Sequence, residues 1–222
     1  MKKIIITLGF ILSLTLLFHS SAFADVQGTH IRLLHASPDA PNVDVYFKKE
    51  NIFSEIPFKE ISEYVNMPAG SYKIKVFPEG ADPKKEKPII KEKLKLKDNQ
   101  FYTLAILGQQ EEFELLTLTD TVQPNKDSSH IRFVHLSPDT SAVDIVTDEP
   151  VVQNLTYTQA SDYVELQPST QDIKINVARQ ETTIYEIPNL QLMEGANYSI
   201  FTLGLFNGEP GLDVVITKDL LK

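Results

Sequence analysis

A block of ten residues is written twice in this chain: His30-Ile-Arg-Leu-Leu-His-Ala-Ser-Pro-Asp39 returns as His130-Ile-Arg-Phe-Val-His-Leu-Ser-Pro-Asp139, displaced by 100 positions. The register then carries on. Val43-Asp44-Val45 matches Val143-Asp144-Ile145, Glu63-Tyr64-Val65 matches Asp162-Tyr163-Val164, Ile74-Lys75-Val76 matches Ile173-Lys174-Ile175, and Tyr102 to Gly108 matches Tyr198 to Gly204. The offset drifts only from 100 to 96, which is the mark of two homologous domains that differ by small loop insertions. The expected units are residues 25–120 and 130–222, joined by a polar linker at 121–129 that holds Pro124, Asn125 and two serines. Each copy has roughly 90 residues, enough for one modest core.

Within a copy the dominant period is two, the signature of strands. Ile31, Leu33 and His35 alternate against His30, Arg32 and Leu34; Val43, Val45 and Phe47 alternate against Asp44 and Tyr46; Tyr72, Ile74 and Val76 alternate against Lys73, Lys75 and Phe77. These read as half-buried antiparallel strands. Phe101 to Leu107 and Tyr198 to Leu205 are apolar on both faces, as a central strand would be, and each copy places a glycine there, Gly108 or Gly204. Pro68-Ala69-Gly70 reads as the turn of a hairpin. Six or seven short strands per copy, with no convincing helix, predict an all-β chain of two tandem β-sandwich domains.

The run Ile-Arg-x-x-His-x-Ser-Pro-Asp followed by Val-Asp-(Val/Ile), with the Pro-Ala-Gly-Ser-Tyr turn and the Tyr-Thr-Leu-Ala-Ile-Leu-Gly strand of the first copy, resembles the bacterial family catalogued as domain of unknown function 4397. The resemblance spans nearly the whole chain beyond its first 24 residues, twice. It implies Ig-like antiparallel sandwich repeats and a place in the cell envelope or outside the cell, without implying an activity. The second copy departs from the pattern where Ala40-Pro41 becomes Thr140-Ser141 and where the Pro-Ala-Gly-Ser turn becomes Gln167-Pro168-Ser169-Thr170.

The N-terminus carries its own signal. Lys2 and Lys3 precede an apolar run from Ile4 to Phe18, and Ala22-Phe23-Ala24 supplies the small-x-small pattern of a signal peptidase site. Residues 1–24 are therefore expected to be a cleaved signal peptide, because the run of 15 residues falls short of the roughly 20 that span a bilayer. The expected product is secreted or associated with the cell envelope, and has no stable membrane anchor. The chain has no cysteine, which excludes disulfides, thiol nucleophiles, Cys-based zinc sites and cysteine-linked lipid.

Charge narrows the partners. The formal net charge is −9, and −11 once Lys2 and Lys3 are removed with the signal; residues 25–122 carry −3 and residues 123–222 carry −8. Such acidity argues against nucleic acid, whose phosphates call for basic stripes, and against anionic lipid. One stretch is an exception. Lys91, Lys93, Lys95 and Lys97 fall on one side of a strand whose other side is Glu92, Leu94 and Leu96. Two readings stand: a patch of point charges for an anionic cell-wall polymer, or an edge strand guarded by lysines against edge-to-edge pairing. The second copy puts Asn189 and Gln191 where Lys93 and Lys95 stand.

The repeated turns hold the letters of catalysis. His35, Ser37 and Asp39, with His135, Ser137 and Asp139, contain a Ser/His/Asp set. Letters are not geometry, since a triad needs Ser and Asp on opposite sides of the imidazole. Ser-Pro-Asp reads instead as a turn whose Ser and Asp bond local backbone, with each histidine hydrogen-bonded beneath it. His30 and His35 project to opposite faces of one strand, about 17 Å apart at roughly 3.3 Å per residue, so they cannot chelate one metal together. No cofactor, metal site or catalytic residue is expected. The alternative is an extracytoplasmic metal-dependent hydrolase using these turns, which would need the side chains exposed in one cleft. A further expectation concerns charge: ion pairs Arg32–Asp44 and Arg132–Asp144 across neighbouring strands. The scattered carboxylates read as solvated, and the alternative to that is a weak calcium site near residues 120–130, where Asp120, Asp127 and neighbouring carbonyls would converge. The favoured reading is an exported, non-catalytic binding or structural module whose partner is a cell-wall polymer or an envelope protein.

Overall fold

A computed structural model describes residues 28–110, 112–121 and 127–219. The expected signal peptide, residues 1–24, and residues 122–126 of the expected linker lie outside the described residues. The first repeat supplies β1 (Thr29–His35), β2 (Val43–Phe47), β3 (Glu50–Ile56), β4 (Val65–Met67), β5 (Gly70–Pro78), β6 (Ile90–Leu96), β7 (Phe101–Gln109) and β8 (Glu112–Asp120). The second supplies β9 (Ser129–His135), β10 (Val143–Val146), β11 (Pro150–Leu155), β12 (Val164–Leu166), β13 (Thr170–Val177), β14 (Thr183–Gln191), β15 (Asn197–Leu203) and β16 (Asp213–Asp219). Among the described residues there is no helix.

Each repeat is a sandwich of two four-stranded sheets. The first pairs β4-β1-β7-β8 with β3-β2-β5-β6, and the second pairs β12-β9-β15-β16 with β11-β10-β13-β14. The period-two residues meet between the sheets: Ile31, Leu33, Val43, Val45, Ile74, Val76, Leu104 and Ile106 are all fully buried in one cluster, and Ile131, Phe133, Val143, Ile145, Ile173, Ile175 and Ile200 form its counterpart. Burying each such side chain is worth about 1.5–3 kcal/mol. The all-β sandwich expectation holds, with one addition. β1 runs parallel to β7, and β9 parallel to β15, while every other pairing is antiparallel.

The expected hairpin at Pro68-Ala69-Gly70 is not one. β4 pairs with β1 and β5 pairs with β2, so this turn carries the chain from one sheet to the other.

The two sandwiches share a third core. Leu34, Ala36, Ala105, Leu107 and Leu118 of the first repeat cluster with Val134, Leu136, Phe201 and Leu203 of the second. The back of the β4-β1-β7-β8 sheet thus packs on the back of the β12-β9-β15-β16 sheet, giving four layers. That is why β7 and β15 are apolar on both faces: each is sandwiched twice.

Candidate functional site

Three groups of residues carry chemistry, and the fold puts each in a different place. The repeated turns are inside. His35 and Ser37, like His135 and Ser137, have no exposed surface. The His35 Nε2–H donates to the Pro41 carbonyl at 3.0 Å, and His135 does the same to Ser141 at 3.1 Å. Burial lowers both histidine pKa values below the usual 6.5, against the opposing pull of those carbonyls. Ser37 Oγ donates to the Gly108 carbonyl at 2.8 Å and Ser137 Oγ to Gly204 at 2.7 Å. Both glycines have positive φ, and a Cβ there would run into the carbonyl oxygen of Glu112 or Gly211.

The aspartates complete the clamp. Asp39 accepts the N–H of Gln110 at 2.7 Å, and Asp139 accepts those of Phe206 and Asn207 at 2.7 and 2.9 Å. So Ser and Asp bond a loop about seventy residues away, not the local backbone expected from the Ser-Pro-Asp letters. Neither aspartate carboxylate bonds its histidine, and the exposed cleft that hydrolysis would require does not form around these side chains. Among the described residues no three His, Asp or Glu side chains converge as a metal site.

The second group lies at the centre of the four layers. Arg32 was expected beside Asp44; instead its Nη2 donates to Asp219 of the other repeat at 2.5 Å and lies 3.7 Å from Asp120. Arg132 reciprocates on Asp120. The guanidinium Nε atoms donate to Thr103 Oγ1 (2.8 Å) and Ser199 Oγ (2.7 Å), and these hydroxyls donate on to Asp120 and Asp219. Tyr64 donates to Asp120 at 2.6 Å and Tyr163 to Asp219 at 2.9 Å, while each ring lies against the arginine of its own repeat.

All four charged side chains at this centre are at most 5% exposed. Burial, then the neighbouring carboxylate, raises the hydroxyl pKa of Tyr64 and of Tyr163. Burial pulls the Arg132 guanidinium down, but Asp120, Tyr163 and Asp219 together outweigh it and the net shift is upward. Asp44 and Asp144 have other work: they accept backbone N–H groups of Glu55 and Gly80, and of Asn154 and Arg179. Asp120 is likewise committed to Arg132, Thr103 and Tyr64, which removes it from the alternative calcium site.

The third group is on the surface. β6 is an edge strand paired only with β5, in the register Lys73↔Lys93, Lys75↔Lys91 and Ser71↔Lys95. Tyr72, Ile74 and Val76 point inward, so Lys73, Lys75, Lys91, Lys93 and Lys95 share the outer face of the sheet. Neighbours on that face stand about 4.8 Å apart across the strands and about 6.8 Å apart along them. No carboxylate lies within 4 Å of any of the five among the described residues. Lys97 follows the end of β6, exposed, with its N–H donating to the Tyr102 hydroxyl at 3.2 Å. Glu92 has the parity of the inward side but is exposed, a charge at the edge.

Lys73 and Lys75 were not singled out from the sequence as members of a patch. Their alternation with Tyr72, Ile74 and Val76 was visible, but only the pairing of β5 with β6 brings them beside Lys91 and Lys93.

The fold and these sites define a two-sandwich, all-β protein with an internal two-fold relation. The chain belongs to the family described as Domain of unknown function (DUF4397), whose model matches residues 29–146 and 129–221. The comparison with curated proteins gives no match. Among solved structures it is similar to the carbohydrate-binding module CBMbc (family CBM26) from Eubacterium rectale Amy13K, solved with maltoheptaose, at 12% identity and a TM-score of 0.27, covering 86% of this chain and 98% of that one. It is also similar to candidate cell adhesion proteins from Parabacteroides distasonis and Bacteroides fragilis, at 9% and 8% identity, each with a TM-score of 0.23 and covering 87% of this chain and 98% of theirs.

Proposed function

We propose that this protein is an exported, non-catalytic binding module of the cell envelope or extracellular space, and that the outer face of the β3-β2-β5-β6 sheet binds an anionic envelope polymer. The observation that carries this reading is the five-lysine ladder on β5 and β6. Edge protection needs charge on β6 alone, whereas Lys73 and Lys75 stand on β5, an interior strand of the sheet. Two directly opposed lysine pairs cost stability that a fold would not otherwise bear. In a chain of net charge −9 they form a local field of the opposite sign. The export signal at residues 1–24 would put this face where such polymers are.

The test is co-sedimentation of the chain from residue 25 onward with isolated cell walls. The expected result is binding at low salt that weakens as ionic strength rises, since exposed charges are screened over about 8 Å at physiological salt. Replacing Lys73, Lys75, Lys91, Lys93 and Lys95 by Gln should abolish it with the melting temperature unchanged or raised. Binding that survives those five substitutions would sink the reading.

A further inference from the structure

Beside the lysine ladder the sheet is not flat. A hollow of about 620 Å³ opens between the β2–β3 turn, β5 and the loop after β5, lined by Tyr46, Lys48, Lys49, Lys75, Phe77 and Lys84, with Asp82 and Pro83 at its rim. Its floor is aromatic: the half-buried Tyr46 ring meets the fully buried Phe77 ring edge-on at 5.5 Å. Lys49, Lys75 and Lys84 therefore converge on one concavity with a single carboxylate, while Lys48, which also lines it, holds its ammonium 4.8 Å over the Tyr72 ring. Asp82 is already engaged, by Lys85 at 3.1 Å and by the backbone N–H of Lys84 at 2.9 Å.

We infer that this hollow is an anchoring subsite for a phosphate ester of the polymer, with its polyol or sugar lying on Tyr46; the inference rests on the lysine-face reading above. Three features separate it from a mere extension of the ladder. The hollow is concave and of a size that holds a small ligand, whereas the ladder is open. Its cations arrive from three separate segments, β5, the β2–β3 turn and the following loop, and so surround a tetrahedral anion as flexible point donors; no arginine fork suited to a planar carboxylate lines it. Lys48 holds a φ of 59°, a left-handed conformation that glycine or asparagine adopts at lower cost.

The second repeat lacks the set. Lys48 and Lys49 correspond to Thr147 and Asp148 there, and Phe77 to Asn176. The subsite is thus a property of the first sandwich alone.

Titrating the chain from residue 25 onward with a phosphodiester-linked glycerol phosphate oligomer, and separately with polyglutamate of the same charge, tests this. The oligomer should bind more tightly and shift the Tyr46 ring resonances. The triple variant Lys48→Gln, Lys49→Gln, Lys84→Gln should weaken the oligomer by about tenfold or more and abolish its advantage over polyglutamate. The ladder variant Lys91→Gln, Lys93→Gln, Lys95→Gln should weaken both polymers alike and flatten the salt dependence. Equal binding of the two polymers by the unaltered chain, or an unchanged oligomer affinity in the triple variant, overturns the subsite and leaves the lysine face standing. If neither polymer binds at all, the lysine-face reading falls together with the subsite. All six substituted lysines are exposed, so the triple variant should melt close to the unaltered chain, and the ladder variant, which relieves two opposed lysine pairs, no lower.

Discussion

The two repeats are alike where they face each other and unlike where they face solvent. At the centre, Arg32, Tyr64, Thr103 and Asp120 of the first repeat have counterparts Arg132, Tyr163, Ser199 and Asp219, and the arginines are exchanged: each finds its closest carboxylate on the other repeat. On the outer sheets the relation breaks down. Lys75↔Lys91 in the first sandwich stands where Lys174↔Glu186 stands in the second, and Lys73 corresponds to Asp172, whose carboxylate accepts the Asn189 N–H at 2.7 Å. The buried centre tolerates little change, because a guanidinium without its carboxylate would be stranded away from water. The outer faces carry no such constraint and are where the copies acquire separate properties.

Removing one of the central carboxylates should have the largest effect. Asp120→Ala leaves Arg132 buried and unpaired and should cost about 3–5 kcal/mol in denaturant unfolding. Asp219→Ala should cost less, because Asp120 lies within 4 Å of both arginines, whereas of the two arginines Asp219 pairs with Arg32 only. A larger loss for Asp219→Ala would break the picture of a centre weighted towards Asp120. Because the shared core joins the sandwiches, either variant should unfold both repeats in one transition.

Phe201→Ala should cost about 3–5 kcal/mol. Phe201 belongs to the shared core, and its counterpart in the first repeat is Ala105. The first repeat should lose stability along with the second, which hydrogen exchange of β1 and β7 would read. Protection lost only in β9 and β15 would show that the repeats are energetically separate.

A pH dependence should follow from the buried histidines. Both are held below 6.5 when folded, so the unfolded chain takes up protons first as the solution is acidified. Their contribution is fully present above about pH 6.5 and is lost as pH falls below it towards the folded-state pKa. Replacing His35 by Gln should lower stability at pH 7.5 and flatten part of the slope between pH 6.5 and 5; an unchanged slope would remove His35 as its source.

The smallest effect should have the opposite sign. Lys91→Glu converts the first repeat's like-charge pair into the opposite-charge pair of the second, and should stabilise by about 0.2–1 kcal/mol while weakening wall binding. A loss of stability would mean that the outer lysines are held by contacts other than cross-strand repulsion.

The duplication, the strand periodicity and the all-β class were legible because each is a local pattern: a repeated block, or a side chain every second position. The lysines of β6 were legible for the same reason. The Arg32–Asp44 pair does not form because β1 and β2 lie in different sheets, whose outward faces point away from each other. Arg32 has the right parity to leave its own sandwich, but its partner lies 187 positions away on the last described strand. The doubly apolar β7 and β15 did signal central strands; what covered their second face was the other repeat.

By itself, then, the sequence determined that this is a cysteine-free chain of two homologous β-sandwiches with a net negative charge and one basic strand. Only the tertiary structure decided that Arg32 and Arg132 exchange carboxylates across a shared core, that Ser37 and Asp39 clamp the distant Gly108–Gln110 segment, and that β5 joins β6 in a lysine ladder beside a hollow. The physical reason is the range of the information: side-chain alternation is written within a strand, whereas which sheet faces which follows from how four layers together bury their apolar surface and pair their charges.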